Sequence, residues 1–215
     1  MLAELYNNAS LKQHMRQRIQ TQPRDFQAHL QLGIVLFKEE NYQEAETHLK
    51  IAHDLLPDYS GYPSPPLVLA QLYEKQGRED AQLTQLETLL KNQQHDYDSA
   101  MVLANAALDA GNDVHAQYYI DRALAINPYR LDVHQAAARL AERSGNARDA
   151  VREHEILVRL DVNDPVEART NLAQAYLSNG QQTEARRNIL RALEVAPSYR
   201  RAQQLLLQSL EGGDR

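Results

Sequence analysis

A chain of 215 residues is long enough for one or two globular domains or for one elongated repeat array, and its hydrophobic fraction of 43% is ample for a core. The formal net charge of −6 argues against nucleic acid as a partner, because nucleic-acid binders usually carry a basic face. The chain has no cysteine, which excludes disulfides, thiolate metal sites and a cysteine nucleophile.

The sequence predicts neither a membrane span anywhere in the chain nor a signal peptide at its start. No apolar run approaches the roughly 20 residues needed to cross a bilayer, and the start, MLAELYNNASLKQHMRQ, lacks the basic-then-apolar order of a secretory signal. We therefore expect no membrane insertion and a soluble protein, cytoplasmic by default. A periplasmic location is the alternative, if a signal peptide was removed or belongs to a longer parent protein.

Residues 1–25 predict a capping helix or half-repeat, because residues 9–23 fit the second helix of a preceding unit. Five similar segments follow, starting at residues 26, 63, 97, 131 and 166, so that the period is about 34. The predicted units are repeat one with an inserted loop (26–62), an irregular repeat two (63–96), repeat three (97–130), repeat four (131–165), repeat five (166–199) and a C-terminal capping helix with a tail (200–215).

The pattern within repeat three indicates two short helices. Apolar residues recur at three- and four-residue intervals over 97–110, which is one face of a helix. Gly111 then breaks the helix, as glycine does just after a helix end. A second periodic stretch follows and Pro128 ends it. Neither helix could bury its apolar face alone, so each pair must pack on its neighbours.

Local signals mark three further places along the chain. Repeat two follows an insertion at 60–62 and starts with Ser64-Pro65-Pro66, which caps and restricts a helix start. Asp164-Pro165-Val166-Glu167 predicts an N-cap, a proline in the first turn and an acidic third position. In the C-terminal helix we expect leucines to face inward and glutamines outward; the leucines are Leu206, Leu207 and Leu210, and the glutamines are Gln203, Gln204 and Gln208.

The five segments resemble the tetratricopeptide repeat (TPR) family over nearly the whole chain. Its small eighth residue matches Gly33, Ala70, Ala104, Ala138 and Ala173, its turn glycine matches Gly77, Gly111, Gly145 and Gly180, and its closing proline matches Pro57, Pro128 and Pro197. The resemblance implies an all-α fold, a right-handed α-α superhelix or TPR solenoid of about 12 antiparallel helices. Its frequent early aromatic residue is replaced here by His29, Pro66, Ala100, His134 and Arg169.

No catalytic or metal-binding pattern is present in the sequence. His154-Glu155 begins like the zinc-protease helix motif, but Val158 stands where the second histidine is needed. His48 and His53 are five residues apart on a predicted helix, which turns them to different faces. We therefore expect no enzymatic activity, no metal and no cofactor.

In the resembled family the first helix of each repeat lines a concave groove that binds partner peptides. Carrying those positions onto this chain predicts an apolar N-terminal part and a polar C-terminal part. The predicted groove residues are Leu30, Ile34, Phe37, Leu67, Gln71, Met101, Asn105, Leu108, Arg139 and Asn171. Apolar positions on a first helix also pack between neighbouring helices, so interior packing is the alternative. The carboxylate clamp of the chaperone-tail subclass is absent, and no binding of an acidic chaperone tail is expected.

Three hypotheses for function remain. The first is a non-enzymatic protein-interaction module that binds a peptide or helix of a partner in its groove. The second is a C-terminal or internal segment of a larger bacterial enzyme, peptidase-like, or of an envelope-assembly protein, where it would dock a substrate or partner; the half-repeat at residues 1–25 is consistent with such a fragment. The third is self-association into a homodimer through terminal helices.

Overall fold

The computed structural model describes residues 2–92, 96–160 and 164–211, and within them the chain forms twelve α-helices and no strand. This confirms the predicted all-α fold class. No helix of the described residues is long and apolar enough to span a membrane. The helices are α1 (Leu2–Thr21), α2 (Phe26–Lys38), α3 (Tyr42–Leu55), α4 (Pro65–Lys75), α5 (Glu79–Asn92), α6 (Tyr97–Asp109), α7 (Asp113–Ile126), α8 (Leu131–Arg143), α9 (Ala147–Leu160), α10 (Pro165–Ser178), α11 (Gln182–Val195) and α12 (Arg200–Glu211).

The chain divides into two compact units, one through Ser99 (unit 1) and one from Ala100 onward (unit 2). The core of unit 1 is built mainly from leucines that α2, α3 and α4 contribute at helical spacing. Gly33 brings α2 and α3 together, because a methyl group at its Cα would lie 2.7 Å from Cγ of Leu49. Small residues at this position therefore set how closely the two helices of a repeat approach.

Five first helices end in the same hydrogen-bonded turn. At each one, an amide donates to the carbonyl three residues back and the next amide donates to the carbonyl five residues back, as in a Schellman motif. The left-handed residue of this turn is Gly77, Gly111, Gly145 or Gly180 in four cases, with φ between 66° and 74°. In the turn after α2 it is Glu40, with φ of 61°.

Residues 56–64 connect α3 to α4 without forming a helix. The ring of Tyr59 packs against that of Phe26, with 4.7 Å between the ring centroids, and this contact holds the connection against the start of α2. The peptide bond between Tyr62 and Pro63 is cis. Ser64 occupies the N-cap position of α4 as predicted, but its hydroxyl makes no capping hydrogen bond and is buried without a partner among the described residues.

Among the described residues of unit 2, one apolar cluster lies around α8 to α11 and another around α10 to α12. The start of α10 forms as predicted: Pro165 lies in the first turn and Asp164 Oδ1 accepts from the amide of Glu167 at 2.9 Å. The described part of the predicted C-terminal segment is α12, and the tail after residue 211 lies outside the described residues.

The inward face predicted for α12 is wrong in part. Leu206 is half-buried against the core as expected, but Leu207 and Leu210 are 63% and 53% exposed. The buried face instead carries Ala202, Leu205 and Ser209. Small residues at both ends of this face let α12 approach α11 closely. Gln203, Gln204 and Gln208 are exposed as expected.

Candidate functional site

The predicted groove residues of unit 1 lie at different depths. Leu30 is buried in the core and offers a partner almost no surface. Ile34, Phe37 and Leu67 are half-buried, and the first two pack against the core cluster. Gln71 is exposed. The apolar part of the predicted groove is therefore largely interior packing, the alternative that the sequence left open.

The predicted groove residues of unit 2 separate by chemistry. Met101 and Leu108 are buried, so both serve the core. Asn105 and Arg139 are exposed and Asn171 is half-buried. The accessible positions of unit 2 are thus the polar ones.

Two cavities in unit 2 share one carboxylate, that of Glu142. The larger has a volume of about 450 Å³ and is lined by Ala141, Glu142, Gly145, Ala147, Ala150, Gln174, Ala175, Ser178 and Arg201. The smaller has a volume of about 230 Å³ and is lined by Gln135, Ala138, Arg139, Glu142, His154, Leu157, Glu167, Ala168 and Asn171. We call these two cavities together the unit 2 groove. It contains two of the residues that the sequence selected, Arg139 and Asn171.

The larger cavity owes its space to small side chains. Ala141, Ala147, Ala150 and Ala175 form much of its wall, and Gly145 adds no side chain at the turn between α8 and α9. A volume of about 450 Å³ lies within the range of roughly 300–1,000 Å³ that ligand sites occupy. Glu142, Gln174, Ser178 and Arg201 supply the polar part of the lining, so the cavity can take a bulky apolar group from a segment that also makes polar contacts.

The charged side chains of the unit 2 groove are paired within unit 2. Arg139 donates to Asp109 at 2.5 Å, and Arg201 donates to Glu167 at 2.6 Å. Glu142 Oε1 lies 2.6 Å from His154 Nε2. This hydrogen bond lowers the pKa of Glu142, and the charges of His154 and Arg201 act in the same direction against partial burial. The groove therefore presents no unpaired cluster of one sign among the described residues.

Three amide side chains of the unit 2 groove have no hydrogen-bonding partner among the described residues. They are Gln135 on α8 and Asn171 and Gln174 on α10. Each amide carries a carbonyl acceptor and two N–H donors, the same functions that a peptide backbone presents. Three unused amides on two neighbouring first helices can therefore pair with the main chain of an extended segment.

His154 occupies a position that is apolar elsewhere in the chain. It follows the small residue Ala138 by sixteen positions, as Leu49 follows Gly33, and the corresponding residues are Leu49, Leu86, Ile120 and Ile189, all buried and apolar. His154 is 6% exposed and its Nδ1 has no partner in the described part of the chain. A polar residue that replaces a core leucine and supports a groove carboxylate departs from the repeat pattern at this site.

Sequence reasoning on groove positions did not select His154. The signal was available, because the residue stands where the other four repeats have leucine or isoleucine. It was missed because His154 lies on a second helix, α9, whereas the groove positions carried over belong to first helices.

Comparison with solved structures supports the fold. YrrB, described as a TPR protein with an unusual peptide-binding site, matches with a TM-score of 0.64 and 14% identity over 88% of this chain and 96% of that one. MamA matches with a TM-score of 0.59 and 17% identity over 79% and 90%. A TPR protein from Parabacteroides merdae matches with a TM-score of 0.54 and 16% identity over 98% and 89%.

A search of curated proteins found no significant match to this sequence. The family model for the tetratricopeptide repeat, in contrast, matches residues 67–130 and 136–200, which is more than half of the chain. TPR proteins are generally scaffolds for protein–protein interaction and not enzymes. The twelve helices of the described residues, the family match and the structural neighbours agree. This chain belongs to the tetratricopeptide repeat family.

Proposed function

We propose that this chain is a non-enzymatic interaction module whose unit 2 groove binds an extended peptide segment of a partner protein. The observation that carries the proposal is the set of three amides without a partner among the described residues, Gln135, Asn171 and Gln174, beside two adjoining cavities. Side-chain amides recognise a peptide main chain irrespective of its side chains. The structural neighbour YrrB is described as having an unusual peptide-binding site, which supports peptide binding as a function for a protein of this fold.

The larger cavity gives such a segment its side-chain preference. Its alanine-lined wall suits one bulky apolar side chain, such as an aromatic, which contributes most of the apolar area buried on binding. The charges in the lining are already paired, so the preferred segment carries little net charge. We therefore expect affinity to change little between about 0.05 and about 0.5 M salt, whereas charge-driven binding would weaken steeply.

Peptide selection on the purified protein tests this function. Extended peptides selected from a displayed random library should share one aromatic or large aliphatic residue. Gln174→Leu and Asn171→Leu should each weaken the selected peptides by about tenfold, because each leaves a peptide group unpaired. Ala147→Trp should abolish binding by filling the larger cavity, whose wall includes this half-buried residue.

Matched controls use the same changes at exposed positions away from the groove. Gln208→Leu on α12 and Ala125→Trp on α7 should leave peptide affinity unchanged. Circular dichroism establishes that all variants are folded. Selected peptides whose affinity is insensitive to Ala147→Trp, or a library that yields no binder, would contradict the proposed groove.

Self-association is a second candidate function, and the exposed leucines of α12 favour it. Leu207 and Leu210 lie on one face of this helix and are more than half exposed. A second copy covering this face would bury apolar area on both chains. Light scattering over a range of concentrations should then show a dimer that Leu207→Glu with Leu210→Glu disrupts, while Gln204→Glu with Gln208→Glu does not. A monomer at every concentration would rule this candidate out.

A further inference from the structure

The carbonyl of a proline that follows a helix is bound in the same way at three places in the described residues. A side chain six residues later lies within hydrogen-bonding distance of it: His29 Nε2 at 3.1 Å from Pro23, His134 Nε2 at 2.9 Å from Pro128, and Gln203 Nε2 at 2.8 Å from Pro197. A carbonyl only accepts, so each of these nitrogens must carry a hydrogen. This assignment fixes the protonation of one nitrogen in each histidine.

The second nitrogen of His29 faces another histidine. His29 Nδ1 lies 2.9 Å from His48 Nδ1, and His29 is buried in unit 1. Because His29 Nε2 holds its hydrogen for Pro23, a neutral His29 accepts at Nδ1, and His48 must donate from its own Nδ1. The contact between α2 and α3 thus needs one hydrogen shared between two ring nitrogens. If both rings are protonated, two N–H groups point at each other.

The corresponding contact in unit 2 has a different partner. His134 Nδ1 lies 2.7 Å from Oε2 of Glu153, and both residues are buried. Glu153 follows His134 by nineteen residues, as His48 follows His29, so the two pairs occupy equivalent places. Arg152 donates to the other oxygen of Glu153 at 3.0 Å. Protonated His134 therefore faces a carboxylate, with which a second N–H makes a favourable charge-assisted hydrogen bond.

The charged groups around the first pair do not replace such a carboxylate. Glu44 Oε1 is 4.0 Å from His48 Nε2, but it also accepts from Arg16 of α1 at 2.7 Å. Asp25, at the start of α2, pairs with Arg18 and accepts from the amide of Ala28. Burial lowers the pKa of His48, and the neighbouring His29 and Arg16 lower it further against the opposing effect of Glu44.

We propose that the His29–His48 pair is an acid-sensitive lock between α2 and α3, which opens as the pH falls through the histidine range while the His134–Glu153 pair keeps α8 and α9 together. The direction follows from proton uptake. In the unfolded chain His48 binds a proton near its ordinary value of 6.5, whereas in the folded chain it does so only at lower pH. The contribution of neutral His48 to stability is therefore complete above about pH 6.5 and is lost as the pH falls below 6.5.

Hydrogen exchange measured by mass spectrometry on the full chain tests the lock with an internal reference. Protection factors, corrected for the intrinsic exchange rate, are compared between α2–α3 and α8–α9 in the same sample at about pH 7.5 and about pH 5.5. We expect the protection of α2–α3 to fall relative to that of α8–α9 by about tenfold. The lower pH lies about one unit below the ordinary pKa of histidine, and each unit over which only the opened state binds the proton changes the equilibrium tenfold. An equal change in both segments would overturn the proposal.

Two variants make the same test specific. His48→Glu gives α3 the partner that Glu153 provides in α9, and His29→Gln gives α2 the donor that Gln203 provides in α12. His48→Glu should remove the relative loss of protection at about pH 5.5, and His29→Gln should reduce it, because His48 stays partly buried in that variant. The introduced carboxylate would face a protonated His29 favourably, and the introduced amide can accept from either form of His48. If one variant does not fold, the other decides. Retention of the wild-type difference in a folded variant would also overturn the proposal.

Discussion

Glu40 is a residue in a backbone conformation that its side chain does not favour. The four other turns of this kind carry glycine, and the hydrogen bonds of the turn around Glu40 match theirs. A left-handed conformation costs a residue with a Cβ about 1–2 kcal/mol relative to glycine. Part of this is offset by the greater backbone freedom of glycine in the unfolded chain.

The first prediction follows from this comparison. Glu40→Gly should raise the free energy of unfolding by about 0.5–1 kcal/mol, and Gly111→Ala should lower it by about the same amount, because the unfolded-state freedom of glycine offsets part of the conformational cost in both exchanges. Apart from Gly111 and its two chain neighbours, no atom of the described residues lies within 4 Å of the position of a Cβ at Gly111, so the second effect is conformational and not steric. Urea denaturation measures both. A Glu40→Gly variant that is less stable than wild type would contradict the argument.

At Gly33 the cost of adding a side chain is steric, whereas at Glu40 and Gly111 it is conformational. Alanine occupies this position in the other four repeats and favours helices, so sequence reasoning alone predicts that Gly33→Ala stabilises α2. The structure predicts the reverse, since the methyl group would lie 2.7 Å from Cγ of Leu49 and 3.3 Å from its backbone nitrogen. Overpacking of this kind costs about 1–3 kcal/mol.

Leu49→Ala provides the control for Gly33→Ala. In a Leu49→Ala background the contacts with the leucine side chain are removed and only the 3.3 Å contact with the backbone nitrogen remains, so Gly33→Ala should then cost much less. The measurement is a double-mutant cycle by urea denaturation. The same cost of Gly33→Ala in both backgrounds would show that Leu49 is not the cause.

At the scale of elements, Glu46 joins α3 to the turn between α4 and α5. It accepts from Lys50 at 2.7 Å, from Arg78 at 2.8 Å and from the hydroxyl of Tyr73 at 2.9 Å. Arg78 also lies over the ring of Tyr73, 4.4 Å from its centroid. Partial burial alone would raise the pKa of Glu46, but the three hydrogen bonds lower it to about 2.

The network predicts an acid-dependent contribution to stability. Folded Glu46 titrates near 2 and the unfolded residue near 4.5, so its stabilising effect is present above 4.5 and is lost as the pH falls toward 2. Glu46→Gln should lower the free energy of unfolding by about 1–3 kcal/mol at neutral pH, and the difference should shrink below about pH 4. Glu74→Gln is the control, because Glu74 is exposed and its side chain makes no hydrogen bond or ion pair in the described residues. A difference that is independent of pH would contradict this role.

The orientation of α12 shows why periodicity can leave a helix face undecided. Leucines at 206, 207 and 210 make the more apolar stripe, and the sequence therefore predicts that they face inward. The buried stripe is Ala202, Leu205 and Ser209, where Arg186 of α11 donates to the hydroxyl of Ser209 at 3.3 Å and also to its carbonyl oxygen. Close approach and a polar contact outweigh the larger apolar area, and neither is visible in hydropathy.

For the whole molecule, the repeat period and the turn glycines predicted the fold class, because each recurs at fixed spacing and has one structural meaning. The groove was harder to predict. A first helix has a core side and a partner side, so Leu30 and Leu108 could not be assigned to either from the sequence, and both are buried. The cavity near Ala147 depends on packing between repeats, which no single repeat encodes.

The proposal that unit 2 recognises a peptide main chain is tested most directly by nuclear magnetic resonance. A peptide selected on the wild-type protein is titrated into the full chain, and the side-chain amide resonances are followed. We expect the largest shifts at the side-chain amides of Gln135, Asn171 and Gln174, with smaller backbone shifts along α8 and α10. Unchanged resonances at these three amides, with binding shifts elsewhere in the chain, would contradict it.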